Sequence, residues 1–211
     1  CGTKLIDLFF SAFITFFVVI DPPGCAPIYA SLTKGANVAQ RRNMALRAVV
    51  VASGILLVFA LFGEQLLAGL HIELNSFRIA GGIMLFLIAI DMVFEKRTER
   101  REERAQKIID TPEIEDVSVF PMAMPMIAGP GSIASVMLLM SQNSGIDRAG
   151  VILAALGTVL ALTLLALLAA GPIMRVLGAN AEAVITRLLG VLLGALAAQF
   201  VIDGLRASFG G

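Results

Sequence analysis

Polar aromatic and ionisable side chains are scarce in this sequence of 211 residues, although it has 13 phenylalanines. It has no tryptophan, one tyrosine and one histidine, and only 15% of its residues are charged. His71 is the single histidine, and no Cys, His or carboxylate cluster has metal-ligand spacing. We therefore expect neither a metal site nor a cofactor. The absence of tryptophan and the single tyrosine also argue against the wide aromatic pocket that drug pumps tend to need.

Net charge and cysteines exclude further classes. Sixteen basic and sixteen acidic residues cancel, so no global field favours nucleic acid as a partner. The two cysteines, Cys1 and Cys25, stand at the terminus and beside prolines, which is not the pattern of a disulfide framework.

Long apolar runs dominate what is present. Hydrophobic residues make up 58% of the chain and the mean hydropathy is +0.89, values typical of a polytopic protein of the lipid bilayer. We therefore predict an all-α integral membrane fold with six transmembrane helices. The predicted spans are 5–33, 45–68, 77–94, 117–141, 149–171 and 187–205.

Basic residues predict the orientation and the domain division. The loops on one side of the predicted spans hold twelve Lys and Arg residues, against four on the other, so both termini should face away from the cytoplasm. The segment from Glu95 to Asp116 interleaves both charge signs and is interpreted as a cytoplasmic linker, with lipid binding or regulation as the alternative. It divides the chain into repeat 1–97, linker 98–116 and repeat 117–211.

The two halves match at two landmarks. Laying Gly24 on Gly131 sets PPGCAPI against GPGSIAS, and Arg78 falls on Arg187 at nearly the same offset. A unit of three spans crosses the membrane an odd number of times, so its copy must be inverted. The sequence therefore predicts a 3+3 inverted repeat, a plan common among secondary transporters.

Proline and glycine motifs should break spans one and four. Prolines remove backbone donors and free carbonyls, which in the bilayer must be satisfied by protein, water or a ligand. If helices restart near Gly24 and Gly131, two half-helix N-termini with free amides should meet around a small anion such as a carboxylate.

Asp21 is the most deeply placed charge and is interpreted as functional. It could pair with a substrate ammonium, carry a coupling H+ or ligate a cation such as Na+; the alternative is a plain helix cap. Gln199 is a further polar candidate, with a helix-to-helix hydrogen bond as its alternative. The candidate substrate-binding residues are Asp21, Pro22, Pro23, Gly24, Cys25, Gly129, Pro130, Gly131, Ser132 and Gln199, with Asp21 also the coupling-ion candidate.

Two other function classes stay open. Ser132 at a helix start could be the nucleophile of an intramembrane protease, although such chemistry needs a base within reach. Broken helices also occur in channels, so an efflux pore for drugs or small solutes is the other alternative. We expect no enzyme activity, and a homo-oligomer stays open.

The motifs DPPGCAP at 21–27 and PMAMPMIAGPGSI at 121–133 resemble the MarC family of bacterial and archaeal inner-membrane proteins across essentially the whole chain. The resemblance implies six spans in a prokaryotic inner membrane and transport of small neutral amino acids such as glycine and alanine. In that family the position of Asp21 can also be Asn, which favours hydrogen bonding or cation ligation over an obligatory proton carrier. The leading interpretation is an ion-coupled secondary transporter, with export preferred, that works by alternating access.

Overall fold

A computed structural model describes residues 2–94, 103, 116–143 and 145–209, including their side chains except those of 2–3 and 173–183. Every regular element in these ranges is helical and none is a strand, which confirms the predicted all-α class. The elements are α1 (Gly2–Ile20), α2 (Pro22–Leu32), α3 (Val38–Gly69), α4 (Leu74–Val93), a π-helical segment (Ser118–Ile127), α5 (Pro130–Gln142), α6 (Ile146–Leu168) and α7 (Ala170–Phe209).

The predicted membrane spans are present among these elements. Five stretches are long and apolar enough to cross a bilayer, and the π-helical segment with α5 forms a sixth candidate bent by 52°. The first span, Lys4–Leu32, has 29 residues, more than the roughly 20 that a straight crossing needs, and it contains the break between α1 and α2. Breaks in spans one and four are thus confirmed.

Helix ends were predicted less well than spans. A loop was expected between 171 and 187. Only Ala169 separates α6 from α7, which begins at Ala170 and runs for 40 residues to Phe209. That expectation is wrong because less apolar residues between 171 and 187 lower the hydropathy of a segment without ending its helix. The predicted charged linker lies outside the described residues apart from Glu103 and Asp116.

The broken spans lie toward the inside of the bundle. In the first span 44% of the most apolar 18-residue stretch is buried inside the protein, against 28% of the corresponding stretch in α4 and in α7. Eight of the thirteen residues of α5 are buried as well. Other helices bury Asp21 at the first break and residues 127–129 at the second, whereas Phe120 and Met124 of the π-helical segment are exposed. Burial keeps the irregular backbone at these two turns away from lipid, which could not satisfy it.

Helices α4 and α7 form a close antiparallel pair. A side chain at any of three glycines would come within about van der Waals distance or less of a backbone carbonyl oxygen across the interface. The pairs are Gly204 with Asn75 (3.1 Å), Gly82 with Ala197 (2.9 Å) and Gly190 with Ala89 (3.2 Å). Spans three and six of any six-span chain run antiparallel, so this contact is compatible with the inverted repeat, which itself stays a prediction.

This interface gives a first testable prediction. A Cβ atom at Gly82 would lie 2.7 Å from Val201 Cγ2 and 2.9 Å from the Ala197 carbonyl oxygen, whereas one at Gly194 would lie 3.7 Å from the Ala89 Cβ. Gly82→Ala should therefore lower stability by about 1–3 kcal/mol through overpacking, measured as the thermal midpoint of the purified protein. Gly194→Ala on the same interface is the matched control and should be neutral or slightly stabilising. Equal midpoints for the two variants would contradict the close approach.

Candidate functional site

The first break is a single residue, Asp21, between α1 and α2. Its backbone is left-handed (φ 58°, ψ 65°), a conformation that Asp and Asn tolerate better than most residues. Its side chain is 1% exposed, and Oδ1 accepts the Gly24 amide at 3.1 Å. Asp21 is therefore the buried N-cap of α2.

The N-terminus of α2 is fully satisfied. Pro22 and Pro23 occupy its first positions and have no N–H, while the Cys25 amide donates to the Asp21 carbonyl oxygen at 3.1 Å. A Cβ at Gly24 would lie 2.2 Å from Asp21 Oδ2, so glycine is required here to admit the capping carboxylate. The predicted free amides after Gly24 are thus wrong, because the two prolines and the aspartate leave none.

The second break is longer and is not capped by a side chain. The π-helical segment contains two extended residues, Phe120 and Met124, and α5 restarts at Pro130 after the N-cap Gly129. No partner for the amides of Gly131 and Ser132 occurs in the described ranges. The predicted anion-binding helix start therefore has a structural counterpart in this half alone.

The two breaks nevertheless share one local feature. Cys25 Sγ reaches back to the carbonyl oxygen of Ile20 at 3.5 Å, and Ser132 Oγ donates to that of Ile127 at 2.8 Å. These four positions are the ones that the Gly24–Gly131 match pairs with each other. In each half, the side chain after the glycine reaches back across the break to a carbonyl that does not receive its regular helix bond from that glycine's amide.

The two breaks are buried neighbours. A Cβ at Gly131 would lie 3.1 Å from Cγ1 of Val19, which is two residues before Asp21, and 2.7 Å from Cδ1 of Ile88 in α4. Ile20, Cys25, Ile127 and Ala128 belong to one buried cluster. Two breaks facing lipid, or lying far apart, would have removed the basis for a shared site, and neither is found.

Sequence reasoning did not identify Val19 and Ile88 as neighbours of the site. Both are apolar residues in apolar helices, and no local pattern distinguishes them from other core residues. The contacts also show that side chains, including those of Val19 and Ile88, fill the space beside Gly131 in this structure.

The remaining candidates differ in exposure. Pro22, Gly24, Cys25, Gly129, Gly131 and Ser132 are buried, Pro23 is partly buried and Pro130 is exposed. Gln199 is exposed on α7, where its side-chain amide donates to Asp203 Oδ1 at 2.8 Å on the same helix. Neither the predicted binding role nor the alternative bond between helices has support from these contacts, because Gln199 occupies an outward-facing position of α7.

Ser132 lacks the environment of a nucleophile. Its hydroxyl donates to the Ile127 carbonyl, which cannot accept the proton as a general base would. His71 is exposed in the turn between α3 and α4. No group of three or more potential metal ligands occurs in the part of the chain that the structure describes.

The molecule is thus defined by class as a polytopic α-helical membrane protein with two broken spans that meet in its interior. Residues 6–209 match the family described as MarC family integral membrane protein. The chain belongs to that family.

Named relatives cover nearly the whole chain. UPF0056 membrane protein MJ1677 of Methanocaldococcus jannaschii is 35% identical over 206 residues, 96% of this chain and 98% of its own. Membrane protein YvbG of Bacillus subtilis is 34% identical over 197 residues, 93% of each chain. Inner membrane protein YhgN of Escherichia coli is 33% identical over 196 residues, 93% of this chain and 95% of its own. No solved structure matches.

Proposed function

We propose that this protein is a secondary transporter of small neutral amino acids of the size of glycine and alanine. One observation carries the proposal: the two buried, adjacent helix breaks have opposite polarity. Asp21 places a carboxylate at the first break, and the uncapped start of α5 presents two backbone amides at the second. A zwitterion with one amine and one carboxylate complements this arrangement.

Each end of the substrate has a binding group of the opposite sign. The amides of Gly131 and Ser132, together with the positive end of the α5 dipole, suit the carboxylate. The Asp21 carboxylate suits the ammonium group, because it is buried at the first break and a carboxylate forms charge-assisted hydrogen bonds with a cationic nitrogen. Ala128 stands in the place of Asp21 in the second half, so a second amine would find no equivalent acid.

Close packing favours a small substrate. Val19 and Ile88 approach Gly131 so closely that a methyl group there already requires a neighbour to shift. A side chain larger than a methyl group on the substrate would meet the same two residues. This crowding supports glycine and alanine over larger neutral amino acids.

The transport cycle that we propose is alternating access. Two three-span halves rock against each other about the buried breaks and open the site to one side at a time. Asp21 also holds the coupling ion, H+ or Na+, and the direction of net transport is export.

Flux measurements on the purified protein in liposomes test this function. Labelled glycine and alanine should move saturably, at rates that depend on an imposed proton or sodium gradient, while leucine should move at least about tenfold more slowly. A non-saturable flux of many solutes would indicate a pore, and no gradient-dependent flux of any small amino acid would end the proposal.

A further inference from the structure

Several buried hydroxyl groups in these helices donate a hydrogen bond to a carbonyl oxygen of their own helix. Thr15, Thr33 and Thr163 each donate to the carbonyl oxygen four residues earlier, at 2.8, 2.7 and 2.8 Å respectively. Ser135, in α5, does not. Its side chain is fully buried, and its Oγ atom has no hydrogen-bond partner among the described residues. A buried hydroxyl without a partner is unfavourable, and so calls for an explanation.

The position of Ser135 relates it to the second break. It lies four residues after Gly131 and three after Ser132, so all three share one side of the first turns of α5. Helical side chains lean toward the N-terminus and cover the preceding turn. Ser135 therefore lies on the side of α5 that carries Gly131 and Ser132, whose amides lack partners in the described ranges.

The two halves differ here in a complementary way. Matching Gly24 with Gly131 sets Ile28 against Ser135, and Ile28 is buried and apolar. The first half thus has an acidic cap and no hydroxyl one turn into its helix, whereas the second half has Ala128 in place of the acid and a hydroxyl at Ser135. The donors that an anion needs accumulate in the second half alone.

Two other buried hydroxyls are without a well-formed hydrogen bond in the described ranges, and neither lies next to the start of α5. Ser118, at the start of the π-helical segment, is beside the carboxylate of Asp116, and Thr186 is within α7. Ser135 is distinguished from both because it is in the middle of its span, next to an uncapped helix start.

We propose that the Ser135 hydroxyl is a ligand of the substrate carboxylate and donates to it together with the amides of Gly131 and Ser132. This inference rests on the proposed transport function and adds a residue to its anion-binding half. Three converging donors bind a carboxylate more strongly and with a more defined orientation than two amides alone. Admission of the ligand requires Val19 and Ile88 to move from their positions beside Gly131.

Ser135→Ala separates a ligand-binding role from a structural one. Because the hydroxyl has no partner in the described protein, its removal should leave the thermal midpoint of the ligand-free protein unchanged or higher. The Kd for glycine, measured by titration of the purified full chain in nanodiscs, should rise about tenfold or more, the effect of losing one hydrogen bond to a charged group. The Kd for acetate should rise in the same way. Ethylamine, which has no carboxylate, should bind the variant and the unchanged protein with equal Kd.

Thr163→Val is the matched control. It also removes a fully buried hydroxyl from a span, but one that is bonded to its own helix. It should leave the Kd for glycine unchanged. Equal glycine affinity in Ser135→Ala and the unchanged protein would overturn the role of Ser135 while leaving the transporter proposal intact. A lower ligand-free midpoint with unchanged Kd would also overturn it, since the hydroxyl would then be holding structural water.

Failure of the wider proposal has a different signature. If the unchanged protein binds neither glycine nor alanine, the transport proposal fails. Acetate binding that is lost in Ser135→Ala would still support an anion site at the start of α5, and the absence of acetate binding as well would overturn both.

Discussion

Alanine in place of Gly129 should destabilise the protein by about 3 kcal/mol or more, the upper range for overpacking at a buried site. A Cβ at this position would lie 2.4 Å from the carbonyl oxygen of Pro125. That atom belongs to the backbone and cannot rotate away, so the second break itself must change shape. The dihedral angles of Gly129, φ −82° and ψ 173°, are open to any residue, and the expected effect is purely steric.

Gly157→Ala is the control for Gly129→Ala. It lies within α6, where an added Cβ would meet nothing within 4 Å, so alanine should be neutral or stabilise the helix by up to about 1 kcal/mol. Thermal midpoints of the two purified variants provide the comparison, and the Gly129 variant should also lose flux of labelled glycine. Similar midpoints would contradict the tight turn at Gly129.

The breaks were predictable from the sequence because proline and glycine act locally. Prolines at 22, 23 and 130 have no N–H to bond back to a preceding turn, so they interrupt a helix that reaches them and can occupy the first turn of the next one. The satisfied start of α2 was also within reach of sequence reasoning. An aspartate followed by two prolines is a cap followed by two residues without amides, which leaves only Gly24 for the cap to bind.

Tertiary packing accounts for what could not be predicted. Val19 and Ile88 are beside Gly131 because α1, α4 and α5 pack together, and nothing local in an apolar helix encodes such a contact. The surroundings of Gln199 could not be predicted either. A polar residue in an apolar span suggests a buried partner, but a neighbour one turn away, Asp203, satisfies its amide on an exposed face.

Asp21 gives the second large effect, because it caps α2 and, in the proposed function, also holds the coupling ion, and different substitutions separate these two roles. Asn retains an acceptor oxygen for the Gly24 amide and tolerates the left-handed backbone. The free energy of unfolding of Asp21→Asn, followed through its thermal midpoint, should therefore stay within about 0.5 kcal/mol of the unchanged protein. Asp21→Ala loses the cap, worth about 1 kcal/mol, and places alanine at φ 58°, which adds about 1–2 kcal/mol of strain.

Transport should respond to charge and not to capping. Asp21→Asn should bind glycine with a Kd raised modestly, but lose the dependence of flux on the imposed proton or sodium gradient, since the group that pairs with the coupling ion is neutral. Liposome flux with and without each gradient measures this directly. Full gradient dependence in Asp21→Asn would exclude Asp21 as the ion site and leave it as a cap alone.

Gly24→Ala isolates the cap from the charge. Its Cβ would displace the Asp21 carboxylate, whose Oδ2 is 2.2 Å from that position, without removing the acid. Its thermal midpoint should fall as in Asp21→Ala, and the double variant should be no less stable than the worse single variant, because both remove one shared interaction. Additive losses would mean that Gly24 and Asp21 stabilise the break independently, which the single hydrogen bond between them does not allow.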